Sequence, residues 1–350
     1  MKLYDEFLEF TIRDADISDL DSVYKLSNIL NTVTLPANKT ELEKIILSSM
    51  SSFSLSENDP TKRTFLFLLE SSNNQVIGVS QIFAKHGTLD SPHTFFSVTT
   101  QERYSASLNK YFKHKILRLG QSFDGPSEVG SLVLNPQYRS HPQKLGRILS
   151  FSRFLFIAMR PDLFSRRVIA ELLPPITPHE EPSLWQAIGQ KFTGLNYYEA
   201  DQLSRENKEF ILSLFPNGDI YSCLLSDFAQ DVIGKVGEKS QGAAHLLSSI
   251  GFTYSDKIDP FDGGPHFEAE TKDISIIKNS FKAYVQEATF HSEQGLYLIG
   301  IFDTAKNSSK RFKCFIANAC IVENNIFINK KTIEHNKLYP NSCVYVYRLN

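Results

Sequence analysis

The sequence predicts an α+β protein, and three observations predict it. Over the first 200 residues, strand-like and helix-like patterns follow the order β-α-α-β-β-β-β-α-β-α-β, with four strand patterns in succession, and such runs of strands between helices mark that class. AAHLLSSIGFTYSDKI (243–258) echoes SLWQAIGQKFTGLNYYEA (183–200): each reads as a short apolar helix, a glycine-containing turn with a phenylalanine, and an aromatic strand, which points to a tandem, duplicated unit. After Ile276 the strand-like runs LYLIGIF, FKCFIANACIVENNIFIN and SCVYVYRL follow one another with turn residues between them and no long helical pattern. The expected organisation is a first domain at 1–200, a second, partial unit at 201–281 and a small C-terminal all-β subdomain at 282–350.

FTIRDADISDLDSVYKLSNIL opens with a strand. Asp16 or Ser18 then caps a helix that sets Leu20, Val23, Leu26 and Leu30 on one face. Glu41 to Met50 predicts a second short helix, and the serine-rich segment Ser51 to Asn58 a solvated loop. RTFLFLLESSNNQVIGVSQIF is a strand pair around Ser71 to Asn74, and HTFFSVTT a further strand. A polar, less regular stretch runs to Gly125; within it KYFKHKILR (110–118) reads as a solvated helix face. EVGSLVLNP is a strand, RILSFSRFLFIAMRP a helix ending near Pro161, and RRVIAELLPP a strand stopped by two prolines. SLWQAIGQKF reads as a short helix, with Trp185 packing it onto the sheet, and GLNYYEA as a strand.

With 350 residues, 41% hydrophobic and 22% charged, the chain can bury a large core without staples. A formal net charge of −2 supplies no global basic field, which argues against nucleic acid and anionic membrane as partners. No apolar run approaches the ~20 residues a membrane span needs. MKLYDEFLEF carries acids inside its apolar run and does not read as a signal peptide, so a cytoplasmic location is expected. Cys223, Cys314, Cys320 and Cys343 have no metal-type spacing and are too few for a disulfide scaffold. No metal site is expected, and three of the four lie in strand-like runs where a buried, inert thiol is the ordinary reading.

The candidate site begins at LNPQYRSHPQKLGRIL. A strand feeding a glycine-containing loop and then a helix brings free backbone N–H groups and the positive helix end to one point. That is an anion site, most often for phosphate; Gly146 lets the backbone come close, with Arg139, Gln143, Lys144 and Arg147 around it. An ordinary solvated loop is the plain alternative. Gln143-Lys144-Leu145-Gly146 resembles the start of the Q/R-x-x-G-x-G/A pyrophosphate loop of the GNAT acyltransferase superfamily, although Ile148 stands where a small residue is expected. That resemblance implies a GNAT-like fold in the first domain, with acyl-CoA as co-substrate and no tightly bound cofactor. It also implies a bulge in the preceding strand, backbone N–H near Leu132 meeting the acyl carbonyl, and diverging strands that form a cleft.

The whole chain from about residue 10 onward resembles the arginine N-succinyltransferase family. The resembling pieces include TLPANKTEL (34–42), SEVGSLVLNP (127–136), RVIAELL (167–173), YYEADQLS (197–204), AQDVIGKV (229–236), LLSSIGFTYSDKIDPFDGGP (246–265) and VYVYRL (344–349). The resemblance implies a doubled GNAT-type fold with a C-terminal β-barrel-like extension, and transfer of succinyl from succinyl-CoA to the α-amine of arginine in arginine catabolism. It implies small-molecule substrates and leaves a homo-oligomer open. Three departures stand out. The family's QVHP after DVIG, whose histidine is the proton donor, reads KVGE here, so Gly237 takes that place. Its YRVGT reads FSVTT, with Ser97 at the arginine, and its AEMRG reads AELLP, with Leu173 at a second arginine. Such losses fit a changed acyl group, a changed acceptor, or a non-catalytic acyl-CoA or amino-acid binding protein. Restoring a histidine at 237 is expected to raise activity if that loop faces the cleft.

The chemistry needs a neutral amine, a proton acceptor and donors for an oxyanion. Glu171 is the candidate base or amine ligand, against an ordinary ion-paired strand carboxylate. Asp262, in FDGGP, is the candidate ligand for the acceptor's cationic groups, against an Asx-turn. His179 in the PITPHEEP loop is a candidate replacement base, against an exposed loop histidine. His266 follows FDGGP and is either near the acceptor or an ordinary strand-face residue. The cluster KYFKHKILR is secondarily a patch for the 3′-phosphate of CoA.

Overall fold

A computed structural model of the chain describes residues 9–30, 34–89, 91–175, 181–288, 295–303 and 311–349. The chain is α+β, as expected, and its contacts gather it into two compact units. The first comprises Met1–Ala84, Val129–Phe164 and Thr271–Asn350; the second comprises Lys85–Glu128 and Ser165–Glu270. Both interleave along the chain, whereas the segments 1–200, 201–281 and 282–350 are contiguous.

In the first unit, β1 (Phe10–Asp14) pairs antiparallel with β2 (Thr64–Ser71), and β2 with β3 (Val76–Phe83). The β2–β3 hairpin turns at Ser71, whose carbonyl accepts from Asn74 N–H, with Asn74 in the left-handed conformation asparagine tolerates. Helices α1 (Leu20–Leu30) and α2 (Lys39–Phe53) cover these strands. Asp16 caps the turn before α1, in a box closed by Asp19, and Asn38 caps α2. Serine is unfavourable mid-helix unless its hydroxyl has a use. In α2, Ser49 and Ser52 accept from the N–H groups of Leu66 and Thr64 and so fasten helix to strand.

Helix α3 (Leu145–Met159) is buried along almost its whole circumference, which explains its near-continuous apolar sequence. The C-terminal strands β11 (Phe281–Glu287), β12 (Gly295–Phe302), β13 (Phe312–Val322), β14 (Asn325–Ile328) and β15 (Cys343–Leu349) follow the order β12-β15-β11-β14-β13, and β12 also pairs with β13. The ring therefore closes as a five-stranded barrel filled by Val285, Ile299, Ile326, Val344 and Val346. One short helix, α10 (Lys330–His335), interrupts this otherwise all-β region. The barrel is not set apart from the N-terminal strands: β13 pairs with β1 through Ile12 and Cys314.

The second unit is built on β4 (His93–Ser105), β5 (Lys110–Ser122), β7 (Arg167–Glu171), β8 (Ile220–Tyr221), β9 (Thr253–Ile258) and β10 (Pro265–Glu270), in the order β7-β10-β9-β4-β5-β8. The start of β6 (Ser127–Leu134) joins β7 in a parallel ladder only two residues long, Ser127 to Val168 and Glu128 to Ile169. Trp185 anchors the helical layer as expected. Fully buried, it stacks on Phe261 with centroids 4.7 Å apart and donates its Nε1–H to Leu195 O.

Four expectations fail for physical reasons. The solvated loop expected from Ser51 starts only after α2 ends at Phe53, because Ser52 and Phe53 are buried. KYFKHKILR is not a helix face but most of β5, paired along its length with β4. Few of its residues are buried, so no core-facing period marks it as a strand. GLNYYEA is not a strand: Asn196 caps α5 (Tyr197–Glu206) and Glu199 returns the bond to Asn196 N–H. The echo between 183–200 and 243–258 therefore holds through helix and glycine turn, and only the second copy, α8 (Gln241–Ser249) into β9, goes on to a strand. Of the cysteines in strand-like runs only Cys314 is buried; Cys343 is exposed and Cys320 intermediate.

Candidate active site

Strand β7 ends at Glu171 because Pro174 and Pro175 remove two ladder donors just beyond it. Register sets Glu171 directly opposite His266, the second residue of β10. His93 opens β4, and its Nε2 lies 3.3 Å from Glu171 Oε1. His266 Nε2 lies 3.4 Å from the same oxygen. The two imidazoles stack with centroids 5.6 Å apart at 28°. His86 extends the line, 5.7 Å from His93, and its Nε2 sits 2.6 Å from Glu128 Oε2. His266 and His93 are buried, whereas the Glu171 side chain is 31% exposed and opens the cluster on one side.

Burial pushes His266 down to about 4, against the opposing pull of Glu171. Burial also lowers His93, with the Glu171 hydrogen bond opposing. For Glu171 burial alone would act upward, but His266 and the hydrogen bond from His93 hold it well below the usual carboxylate range. At neutral pH the cluster therefore carries one carboxylate and two neutral imidazoles. An ionised carboxylate only accepts, so His93 donates its Nε2–H to Glu171.

The FDGGP turn is a pair of Asx-turns. Asp259 Oδ1 accepts from the N–H groups of Phe261 and Asp262, and Asp262 Oδ1 accepts from Gly264 N–H at 2.7 Å. Burial and the nearby Glu171 push Asp259 up to about 7. Burial and Asp259 push Asp262 well above its ordinary value. A cation entering here would relieve both. Gly263, at φ +82°, accepts through its carbonyl from Gly234 N–H at 3.0 Å, so DVIG and FDGGP interlock.

Gly237 lies in this neighbourhood but faces backbone. Its N–H donates to Leu173 O at 2.9 Å. Its φ of −68° suits any residue, yet a Cβ would stand 2.4 Å from Pro174 O. Leu173 and Gly237 thus touch each other, and the space for a side chain at 237 is closed. Contrary to the sequence expectation, Gly237→His should destabilise the fold by about 1–3 kcal/mol, as overpacking does, and bring no gain in activity. Thermal melting with a CoA-release assay checks this; a stable, faster variant would refute it.

In the first unit, Ser131 breaks β6 with φ of +51°, beside Leu132, where the resemblance implies a bulge. Buried Arg153 of α3 holds this break, donating to Gly130 O at 3.2 Å while its other nitrogens bond to Ser150. Ser131 Oγ lies 2.9 Å from both Gln81 Oε1 and Thr34 Oγ1. After β6 the chain passes Arg139, which is exposed, and Gln143 to reach Lys144, a left-handed N-cap residue that provides no side-chain cap. The first turn of α3 therefore leaves the N–H groups of Leu145 and Gly146 uncommitted to the helix. At Gly146 a Cβ would meet only Leu134 Cδ2, at 3.8 Å, and Arg147 lies over the Phe151 ring at 4.9 Å.

Of the sequence candidates, the fold gathers Glu171 and Asp262 in the second unit, and Leu132, Arg139, Gln143, Lys144, Gly146 and Arg147 along one strand–loop–helix passage of the first. His179 lies outside the described residues. His93, His86 and Asp259 were missed; His93 is 78 positions from the glutamate it bonds, and no local pattern announces such a pairing.

A strand broken at Ser131 and running into an uncapped helix suits an acyl-CoA-dependent N-acyltransferase, and comparison with known proteins bears out that class. Residues 10–276 match the arginine N-succinyltransferase beta subunit family, and the chain belongs to it. It is 33% identical over 320 residues to the arginine N-succinyltransferase of Photorhabdus laumondii, covering 91% of each chain. It is 32% identical over 311 residues to arginine N-succinyltransferase subunit beta of Pseudomonas aeruginosa, covering 88% of each. The solved structure of arginine/ornithine succinyltransferase subunit AI from Pseudomonas aeruginosa superposes with a TM-score of 0.79 at 25% identity, covering 98% of this chain and 99% of that one. No helix among the described residues is long and apolar enough to cross a membrane.

Proposed function

We propose that this protein transfers the succinyl group of succinyl-CoA to the α-amine of L-arginine, giving N2-succinylarginine and CoA. The carrying observation is Glu171, held ionised beside two neutral buried imidazoles in a member of this family. CoA is bound through its pyrophosphate at the N–H groups of Leu145 and Gly146, with Arg139, Gln143, Lys144 and Arg147 flanking it. The N–H near Leu132 stabilises the oxyanion of the acyl carbonyl. Arginine's α-ammonium gives its proton to Glu171, backed by His266, and the free amine attacks the thioester carbonyl. The C–N bond forms and the C–S bond breaks; the nitrogen's second proton and the one taken up by Glu171 pass to solvent, and the thiolate takes a proton from solvent. Asp259 and Asp262 attract the cationic acceptor. Ser97 and Leu173 would accommodate a related acyl donor or amine.

Release of CoA, followed with a thiol reagent on mixing protein, succinyl-CoA and arginine, tests the reading. Asp262→Asn keeps the Oδ1 acceptor for Gly264 and removes the charge that an entering cation would restore, so the KM for arginine should rise about tenfold, the worth of ~1.4 kcal/mol, with CoA affinity unchanged. An equal loss of CoA affinity would make Asp262 purely structural. Gly237 favours a second reading, a binding protein without turnover; calorimetric binding of CoA and arginine with no CoA release would establish it.

A further inference from the structure

We propose that His93, Glu171 and His266 form a binding site for a divalent transition-metal ion, with Zn2+ the best fit. The proposal stands on the geometry of the cluster and holds whether or not Glu171 serves the transfer reaction above. One ligand atom from each of His93, Glu171 and His266 lies within 4.8 Å of the other two. Zinc bonds of about 2.0–2.2 Å to nitrogen and oxygen in a tetrahedron set ligand atoms about 3.3–3.4 Å apart. The two separations from Glu171 Oε1, 3.3 Å and 3.4 Å, have that length. The donor set, two imidazoles and one carboxylate, suits zinc and its neighbours rather than the all-oxygen preference of Mg2+ or Ca2+.

His266 supplies the second observation. Its ring is 0% exposed, and neither nitrogen has a hydrogen-bond partner among the described residues. The approach of Nε2 to Glu171 at 3.4 Å is too poorly aligned to be a hydrogen bond. Buried ring nitrogens are ordinarily satisfied, and each exception calls for an explanation. A cation between His93, Glu171 and His266 would take up that Nε2, and the exposed side of Glu171 gives it a way in. Three protein ligands leave a fourth position for water. Occupancy would engage the Glu171 oxygen, so metal binding and proton transfer at Glu171 compete.

The test uses the full chain, stripped with a chelator and dialysed against Zn2+ or Co2+. One equivalent of metal per chain is expected, with the visible bands of tetrahedral Co2+ and an X-ray absorption signal of two imidazoles without sulfur. Glu171→Gln and His93→Gln, checked for folding by thermal melting, should each weaken binding more than the ~10–100-fold typical of losing an outer partner. Well under one equivalent on the parent protein, sulfur among the ligands, or unchanged affinity in a folded Glu171→Gln protein would each overturn the proposal. The absorption signal needs no variant, so a variant that fails to fold leaves the proposal exposed to refutation.

Discussion

Glu171→Gln is expected to lower kcat/KM for arginine succinylation by about 10²–10⁴-fold, the usual contribution of a positioned general base. Glutamine keeps the volume, and its Oε1 can still accept from His93, so the fold should survive. What disappears is the only ionised oxygen of the cluster, flanked by imidazoles whose own affinity for protons burial has lowered. CoA affinity should not change, because the loop proposed to hold the pyrophosphate belongs to the other unit. Thiol-release kinetics and CoA calorimetry on the same preparation check both halves. Activity within tenfold of the parent would assign the base elsewhere.

Gly146→Asp is expected to abolish CoA binding and leave the protein folded. The added Cβ meets nothing closer than Leu134 Cδ2 at 3.8 Å, and an acidic residue in the first turn is favourable for a helix. Thermal stability should therefore hold or rise slightly. The same carboxylate would stand at the position proposed for the pyrophosphate, so like charges would meet at the point of closest approach. Calorimetry with CoA decides; unchanged affinity would remove the loop from the binding site.

What the sequence disclosed about this fold was local. The β2–β3 hairpin, β6 and α3 are long apolar runs bounded by turn residues, and they lie where those patterns put them. The outer half of β4 and its partner β5 were not legible, because an arm exposed on most of its surface has no buried face to write a period. Helix α5 carried a signal that was passed over: Asn196 and Glu199 form a capping box, yet the aromatic pair beside them reads as strand. At the site, Glu171 and Asp262 were legible through motifs that resemble a family. His93 was not, because its role exists only once a sheet has brought β4 and β7 ends together. The closed space at Gly237 was equally invisible, since it depends on where the Pro174 carbonyl falls.

The break in β6 has a consequence for how this protein can vary. Its shape is dictated from a neighbouring helix, by a single planar head group that reaches Gly130 and Ser150 at once. A lysine at 153 would preserve the charge and lose the fork, so the exchange is conservative only on paper. The strand contributes backbone to that contact, while its own side chains are mostly buried against other partners. Any library that touches β6 should hold position 153 fixed: heritable control of the strand's shape resides in a residue that no inspection of the strand would find.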